Sequence, residues 1–137
     1  MSNKIEIKLI TPTATNQETY KFHGHADMVI LRCATGDFGI LPGRVACSAI
    51  LGDGSLRIMD EEEKRKIAVL GGVFHFENDE LTIITQKAFL PGEIDIATIQ
   101  AQVQECESRL SKEMNTKEKD KIRNELRKCN VLLDVAN

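Results

Sequence analysis

The stretch "LPGEID" (residues 90–95) separates two parts of the sequence that have different hydrophobic periods. Before it, apolar and polar residues alternate, as around Ile5 and Ile7, and a period of two is typical of a strand with one buried face. After it, apolar residues recur every three or four positions, which is typical of an amphipathic helix. The sequence therefore predicts an all-β antiparallel sandwich at residues 1–92 and a two-helix antiparallel hairpin at residues 93–137.

Short strands with turn signals between them make up the first part. The strands predicted after the first one cover residues 27–32, 48–51, 55–60, 66–70, 73–77 and 81–86. The stretches "LGDGS" (residues 51–55) and "ENDE" (residues 77–80) carry hairpin-turn chemistry. The acidic run at residues 60–63, followed by basic residues, predicts a solvated hairpin tip of mixed charge. Regularly spaced strands without a helix between them are typical of an antiparallel sandwich or barrel.

Two helices are predicted in the second part. Asp95 stands at the N-cap position of the first helix, where its carboxylate accepts a hydrogen bond from a free backbone N–H group. The polar stretch "NTKEKD" (residues 115–120) interrupts the apolar stripe between the helices. The stripe comprises Ile96, Ile99, Val103, Cys106, Leu110 and Met114 before this stretch and Ile122, Leu126, Cys129 and Leu133 after it. Because so narrow a seam buries little surface, we expect the hairpin to be detachable from the sandwich.

Composition narrows the class of protein. The 137 residues are 42% hydrophobic and carry a net charge of −3, which favours a folded domain over a disordered chain. Because no basic stripe appears before Lys112, nucleic acid is not an expected partner. The four cysteines lack the CxxC spacing of a zinc site, so we expect reduced, mostly buried thiols at Cys33, Cys47, Cys106 and Cys129.

The stretch "TGDFGILPGR" (residues 35–44) leaves two alternatives open, a phosphate-binding loop and a turn. A phosphate loop of the nucleotide-hydrolysing kind ends in Gly-Lys-Ser or Gly-Lys-Thr just before a helix. This stretch ends in Gly-Arg-Val, and strand-like sequence follows it. The "HGH" at residues 23–25 is more typical of a solvated strand end than of a metal site, and no GxSxG motif is present. These observations predict a non-enzymatic module with no catalytic residues and no metal.

The same loop carries a resemblance to a known family. "GDFGILPGR" (residues 36–44) resembles the glycine-rich loop of the ε subunit of F-type ATP synthases, in which a histidine usually follows the third glycine. Residues 52–95, with the "GG" at residues 71–72 and the turn before "LTIIT", resemble the second half of that subunit's sandwich. "IKLITPTATNQETYKF" (residues 7–22) is similar to its first two strands. The resemblance covers the whole chain and implies the same order of a sandwich followed by a helical hairpin.

The resemblance implies a non-catalytic subunit of the central rotor stalk that couples ion translocation to ATP synthesis. In the family the sandwich binds the γ subunit and stands on the membrane-embedded c ring. The implied ring-contact residues are Asp37, Phe38, Gly39, Ile40, Leu41 and Arg44. Asp37 is expected at the tip of a turn that faces the ring, with apolar neighbours and with Gly39 and Gly43 allowing a tight backbone path. Arg44 stands where many relatives have histidine, and it suits a fixed ion pair with a carboxylate of the ring or of the sandwich. The alternative is a turn that simply closes one end of the sandwich.

The hairpin carries a second implied property, inhibition of ATP hydrolysis. In bacterial relatives it extends along γ, and its basic residues meet an acidic loop of the catalytic β subunits. The candidate inhibitory contacts here are Lys112, Lys117, Lys119, Lys121, Arg123, Arg127 and Lys128, which outnumber the acidic residues of the same span. An ordinary solvated helix surface is the alternative.

Some relatives bind a regulatory ATP through a pattern that begins with Ile or Leu and Asp at the start of the first helix. Ile94 and Asp95 match this pattern, but Thr98 and Ile99 replace its arginine and alanine. The missing guanidinium removes a phosphate donor, so the pattern for regulatory ATP is incomplete. No other cofactor is expected.

The implied partners are the γ subunit, the c ring and, through the hairpin, the catalytic α and β subunits. Since "MSNKIEIKLITP" (residues 1–12) does not resemble a transit peptide, we expect a peripheral location at the cytoplasmic face of a bacterial plasma membrane, reached only through the complex. Two other functions stay open, a free-standing nucleotide-binding regulatory module and a generic adaptor with a helical arm. Both predict that the chain does not co-purify with γ and the c ring.

Overall fold

Eight strands and two long helices follow one another in the structure, a computed structural model that describes residues 4–12 and 20–136. The strands are β1 (Ile5–Ile10), β2 (Tyr20–Ala26), β3 (Met28–Cys33), β4 (Gly36–Ile40), β5 (Cys47–Asp60), β6 (Glu63–Glu77), β7 (Glu80–Ile84) and β8 (Ala88–Phe89). A 3₁₀ turn at Pro91–Glu93 precedes α1 (Ile96–Lys112) and α2 (Thr116–Ala136). The predicted β-sandwich followed by two helices is confirmed, and the division into units at residue 92 stays a prediction. Residues 13–19 of the stretch likened to the first two strands lie outside the described residues.

The strands lie in the order β2–β1–β7–β6–β5–β3–β4, and β8 pairs with β6. Described neighbours are antiparallel except β1 and β7, which pair in parallel. The sandwich is thus antiparallel, as predicted, except at this one described pair, which the sequence did not predict. Parallel neighbours need a long connection rather than a hairpin, and the hydrophobic period of a strand does not reveal which distant strand lies beside it.

Strands β5 and β6 each run uninterrupted where the sequence predicted two short strands. The predicted hairpin turn at "LGDGS" is wrong, because Gly52 and Gly54 lie inside β5. A Cβ atom on Gly54 would lie 2.4 Å from the Cβ of Arg32, so glycine is required there by a close approach of β3 rather than by a turn. β6 likewise continues through Gly72, which adopts a φ of 122°.

The other two predicted turns are confirmed. The acidic run forms the turn between β5 and β6, where Asp60 pairs with Glu63 and Glu61 adopts a φ of 58°. The turn between β6 and β7 lies at Asn78 and Asp79, whose φ angles are 52° and 58°. Positive φ at both central residues is the type I′ arrangement, whose twist matches that of the two strands.

The sandwich core is built from alternating residues of its strands. β1 buries Ile5, Ile7 and Leu9 completely, as its period of two predicts, and β6 adds Phe74 and Phe76. Burial of side chains of this size contributes about 1.5–3 kcal/mol each. The four cysteines are free thiols, of which Cys33, Cys106 and Cys129 are buried and Cys47 is partly buried.

The first helix begins as predicted. The Asp95 carboxylate accepts hydrogen bonds from the backbone N–H of Thr98 at 3.4 Å and from its hydroxyl at 2.8 Å. The N-cap prediction for Asp95 is therefore confirmed. These bonds lower the pKa of Asp95, the one from the Thr98 hydroxyl having the largest effect.

The second helix begins earlier than the apolar stripe indicates. α2 starts at Thr116, so the polar stretch at residues 115–120 is mostly helical. The side-chain oxygen of Asn115 accepts a hydrogen bond from the N–H of Lys117 at 2.9 Å, and such a cap starts a helix that the hydrophobic period does not register. Met114, assigned to the stripe, instead lies between the helices and is 92% exposed.

The hairpin lies against the sandwich through α2, which contacts β5 and β6. Ile122, Cys129 and Val135 of α2 are buried, and Val135 lines a groove with Ile67 and Leu90 of the sandwich side. Among the described residues, no helix is both long enough and apolar enough to cross a membrane.

Candidate functional site

Asp37 does not lie at the tip of a turn, and that expectation is wrong. It belongs to β4, where it pairs in register with Arg32 of β3. Its carboxylate lies 3.2 Å from Arg32 Nη1 and 2.8 Å from Arg57 Nη2. The hydrogen bond from Arg32, and also the charge of Arg57, lower the pKa of Asp37. Asp37 is thus a half-exposed carboxylate held by two arginines on the outer face of the sandwich.

The apolar residues beside Asp37 differ in what they present to a partner. Ile40 is fully buried in the core, so its side chain offers no contact surface in this structure. Phe38 is partly buried and packs on Phe74 with ring centroids 5.8 Å apart. Leu41 is 57% exposed and is the apolar side chain of this segment that is available to a partner. Phe38 and Ile40 are covered because residues 36, 38 and 40 share the face of β4 that packs on the core, whereas Leu41 follows the end of the strand.

The end of this segment turns at Pro42 and Gly43. Gly43 adopts a φ of 86°, as its expected turn role requires, and its N–H donates to the Asp79 carboxylate at 2.7 Å. Gly39, in contrast, lies in extended β4 and contributes to no turn. The Arg44 guanidinium lies 4.3 Å from the centroid of the Phe38 ring in a cation–π contact. An ion pair of Arg44 with a sandwich carboxylate was expected and is absent from the part of the chain that the structure describes.

The sequence did not predict a second surface, which lies on β5, β6 and β7. Ile50, Val73 and Ile84 pair across β5, β6 and β7 in one register and expose 70%, 46% and 44% of their surface. We call this the apolar ladder. The signal was present, because Ile50 precedes the buried Leu51 and Ile84 follows the buried Ile83, and two adjacent apolar residues in a strand place one of them outward.

The basic residues of the hairpin do not form one uniform free surface. Lys112, Lys117 and Lys128 are exposed. The others that pair with carboxylates within the described residues are Lys121 with Glu118 at 3.5 Å, Arg123 with Asp120 at 3.3 Å and Arg127 with Asp53 at 3.7 Å. Lys119 is half-buried. Of these pairs, the one made by Arg127 reaches the sandwich.

The two residues matched to the ATP pattern, Ile94 and Asp95, have different structural roles. Ile94 ends the 3₁₀ turn, and its N–H donates to the carbonyl of Pro91 at 3.3 Å. Both carboxylate oxygens of Asp95 accept hydrogen bonds from Thr98. Thr98 offers no cationic donor to a phosphate where the pattern has arginine, so the pattern is incomplete and ATP binding at Ile94 and Asp95 stays a prediction.

A charged cavity of about 510 Å³ lies between the sandwich and α2. Its charged lining includes Arg32, Asp37, Asp53, Arg57, Arg123 and Arg127. Asp53 was singled out in the sequence only as part of a turn, whereas it faces α2 from the middle of β5. This cavity brings together one expected ring-contact residue and two expected inhibitory residues.

Comparison with known proteins places the chain in a family. The family described as "ATP synthase, Delta/Epsilon chain, beta-sandwich domain" matches residues 4–91. An ATP synthase epsilon chain of Brevibacillus brevis is 34% identical over 110 residues, which is 80% of each chain. One of Prochlorococcus marinus is 31% identical over 120 residues, 87% of this chain and 86% of its own.

Solved structures share the fold. A chain of the Euglena gracilis mitochondrial ATP synthase, solved as OSCP/F1/c-ring in rotational state 1, superposes on 98% of this chain and 82% of its own length, with a TM-score of 0.78 and 19% identity. A chain of the Tetrahymena thermophila mitochondrial ATP synthase central stalk/c-ring covers 99% of this chain and 98% of its own, with a TM-score of 0.59 and 15% identity. On the sequence matches and the shared architecture, this chain belongs to the ATP synthase epsilon chain family.

Proposed function

We propose that this chain is a non-catalytic subunit of the central rotor stalk of an F-type ATP synthase. Its sandwich binds the γ subunit and stands on the c ring, and so couples ion translocation to ATP synthesis. Membership of the epsilon chain family supports this role. The observation that carries it is the apolar ladder, because an exposed contiguous patch of large apolar side chains marks a surface that a partner covers.

Two different surfaces of the sandwich bind the γ subunit and the c ring. The apolar ladder of β5, β6 and β7 binds γ, since apolar residues on a sheet face supply the desolvated centre of a stable interface. The outer face of β4 and the segment after it meet the polar loops of the c ring through Asp37, Leu41 and Arg44. Two charged side chains and one exposed apolar side chain suit a contact with the polar loops of a membrane-embedded ring. The protein is then peripheral and reaches the cytoplasmic face of a bacterial plasma membrane through the complex.

The ladder is tested by co-purification with γ and the c ring. Val73→Glu places a charge at the centre of the ladder, and we expect the affinity for γ to fall by about 30-fold, the loss of one interface hot spot. Val45→Glu is the matched control, because Val45 is 80% exposed and lies outside the ladder. Equal retention of γ by both variants would reject the ladder as the γ site. Failure of the unmodified chain to co-purify with either partner would favour a free-standing regulator or an adaptor.

The ring contact is tested by cross-linking. We expect Asp37→Cys and Leu41→Cys, in a chain whose partly exposed Cys47 is replaced by serine, to cross-link to c-subunit loops in the assembled enzyme. Glu62→Cys, at the turn between β5 and β6, is the control for non-specific capture. Absence of a cross-link from both test positions would contradict the ring contact.

The hairpin acts as a brake on ATP hydrolysis when it leaves the sandwich and extends toward the catalytic α and β subunits. Its exposed cations support this role, because opposite charges across a contact favour binding to an acidic loop. A chain that ends at Glu93 should raise the ATPase activity of the reconstituted enzyme. Unchanged activity at equal incorporation of the shortened chain would remove the brake.

A further inference from the structure

Asp53 occupies a sheltered position that faces the hairpin. It lies in the middle of β5, and its side chain is 13% exposed. Its Oδ2 lies 3.7 Å from Nη2 of Arg127, and the same nitrogen donates to the Asn124 side-chain oxygen at 2.9 Å. The Asn124 bond orients the guanidinium along α2. The Asp53 carboxylate of the sandwich thus faces the Arg127 guanidinium of α2.

The glycines around Asp53 open the space that this contact needs. Gly54 lets the Arg32 side chain cross close to β5, and a Cβ on Gly71 would lie 3.9 Å from Asp53 Oδ1. The glycines of the "GDG" stretch in β5, together with Gly71 of β6, therefore leave a space free of side chains of their own. The Asp53 carboxylate lies in this space. A sheltered carboxylate that loses its cation stays partly desolvated, so loss of this pair costs more than loss of a fully exposed pair.

A second ion pair between the sandwich and α2 fixes the register of the contact. Lys66 Nζ of β6 lies 3.3 Å from Asp134 Oδ1 of α2. Arg127 and Asp134 are seven residues apart, so they share one face of the helix. The two contacts have opposite polarity, because the helix supplies the cation in one and the anion in the other. A helix shifted along its axis would place like charges together, which disfavours other docked positions.

We propose that Asp53 is a positioning residue that holds the hairpin on the sandwich by retaining Arg127. Arg127 is also among the cations assigned to the extended, inhibitory hairpin, so this inference rests on the proposed brake for its consequence in the enzyme. One guanidinium cannot serve both states at once. The Asp53 carboxylate therefore competes directly with an acidic partner, and it lowers the fraction of chains whose hairpin is released.

The docked fraction of the isolated full-length chain tests the proposal. The methyl NMR shifts of Val135, which is buried against the sandwich, report whether α2 is docked. Asp53→Asn should move the ratio of released to docked hairpin about threefold toward release, the size of effect typical of a partly exposed ion pair. Asp53→Glu, which keeps the charge, should retain the docked ratio.

Two further variants separate the pair from general effects. Asp120→Asn removes a carboxylate that pairs with Arg123 inside α2, and it should leave the Val135 shifts unchanged. Arg127→Gln should release the hairpin as Asp53→Asn does, and the double variant should release it no further. An Asp53→Asn chain that docks as the Asp120→Asn chain does, or effects of the two single changes that add fully, would overturn the proposal.

The reconstituted enzyme separates this inference from the proposed function. With Asp53→Asn we expect slower ATP hydrolysis, because more hairpins are released to act as brakes. Release of the hairpin in the isolated chain without slower hydrolysis would keep Asp53 as a positioning residue and reject the brake. Slower hydrolysis without release would reject the role of Asp53.

Discussion

Gly72 of β6 lies beside the end of the paired strand β7, and its backbone position does not accommodate a side chain. Its φ is 122°, and a Cβ atom would lie 2.3 Å from the carbonyl oxygen of Ile84. We expect Gly72→Ala to lower the free energy of unfolding by about 2–3 kcal/mol, since strain and a backbone clash combine. Urea unfolding measures this. Gly39→Ala is the control, because open space surrounds Gly39 in extended β4, and a comparable loss there would contradict the explanation.

The Asp37 carboxylate makes the stability of the sandwich depend on pH. The hydrogen bond from Arg32 and the charge of Arg57 lower its pKa in the folded state. A lowered folded-state pKa contributes stability that is fully present above the usual aspartate pKa and is lost as pH falls through the lowered value. Asp37→Asn should therefore be less stable than the unmodified chain at pH 7, and the difference should vanish in acid.

Urea unfolding over a pH series measures that difference. Glu62→Gln, at the turn between β5 and β6, is the control for a general loss of negative charge. A difference between Asp37→Asn and the unmodified chain that does not change between pH 7 and acid would contradict the assigned role of the two arginines.

The positions and contacts of individual residues were the part of the site that the sequence predicted least well. The order of motifs along the chain identified the segment around Asp37. It did not predict that Ile40 is buried or that Asp37 pairs with two arginines. The arginine contacts of Asp37 depend on which residues of β3 and β5 lie next to it. The pairing register between strands cannot be predicted from the residues of one strand alone. Asp95 was predicted correctly because an N-cap depends on its own next three residues.

At the scale of single elements, the N-cap of α1 has a measurable effect. Asp95→Ala removes two hydrogen bonds from Thr98, and we expect a loss of about 1 kcal/mol that frays the first turn. Amide hydrogen exchange in that turn should then rise about fivefold. Asp120→Ala, inside α2, should leave those amides unchanged. Equal exchange in both variants would show that packing rather than capping holds the first turn.

Elements whose signals are local were predicted well. The turns at residues 60–63 and 77–80, the alternation of β1 and the two helices follow from neighbouring residues. The error at "LGDGS" has a different origin, since glycines that admit a neighbouring strand resemble glycines that turn a chain. Nothing in a single strand separates these two uses of glycine. The exposed ladder similarly required the paired strands to be known.

For the whole molecule, the sandwich should fold without the hairpin. Its core draws its largest buried side chains from the strands, and α2 covers the sandwich mainly along β5 and β6. A chain that ends at Glu93 should retain a β-type circular dichroism spectrum and a cooperative thermal transition at a slightly lower Tm. The full-length chain measured alongside is the reference. A non-cooperative melt would show that the hairpin is part of one folding unit with the sandwich.

The parallel pairing of β1 with β7 also means that the sheet can be completed only late in synthesis. β1 lies between β2, which follows it closely, and β7, which leaves the ribosome after nearly the entire sandwich has been made. Until then one edge of β1 has no partner, and Ile5, Ile7 and Leu9 have no complete core to enter. Such distant pairing slows folding and lengthens the time during which a nascent chain is prone to aggregate. Because the helices come last, the sandwich can close before the helical hairpin has been made.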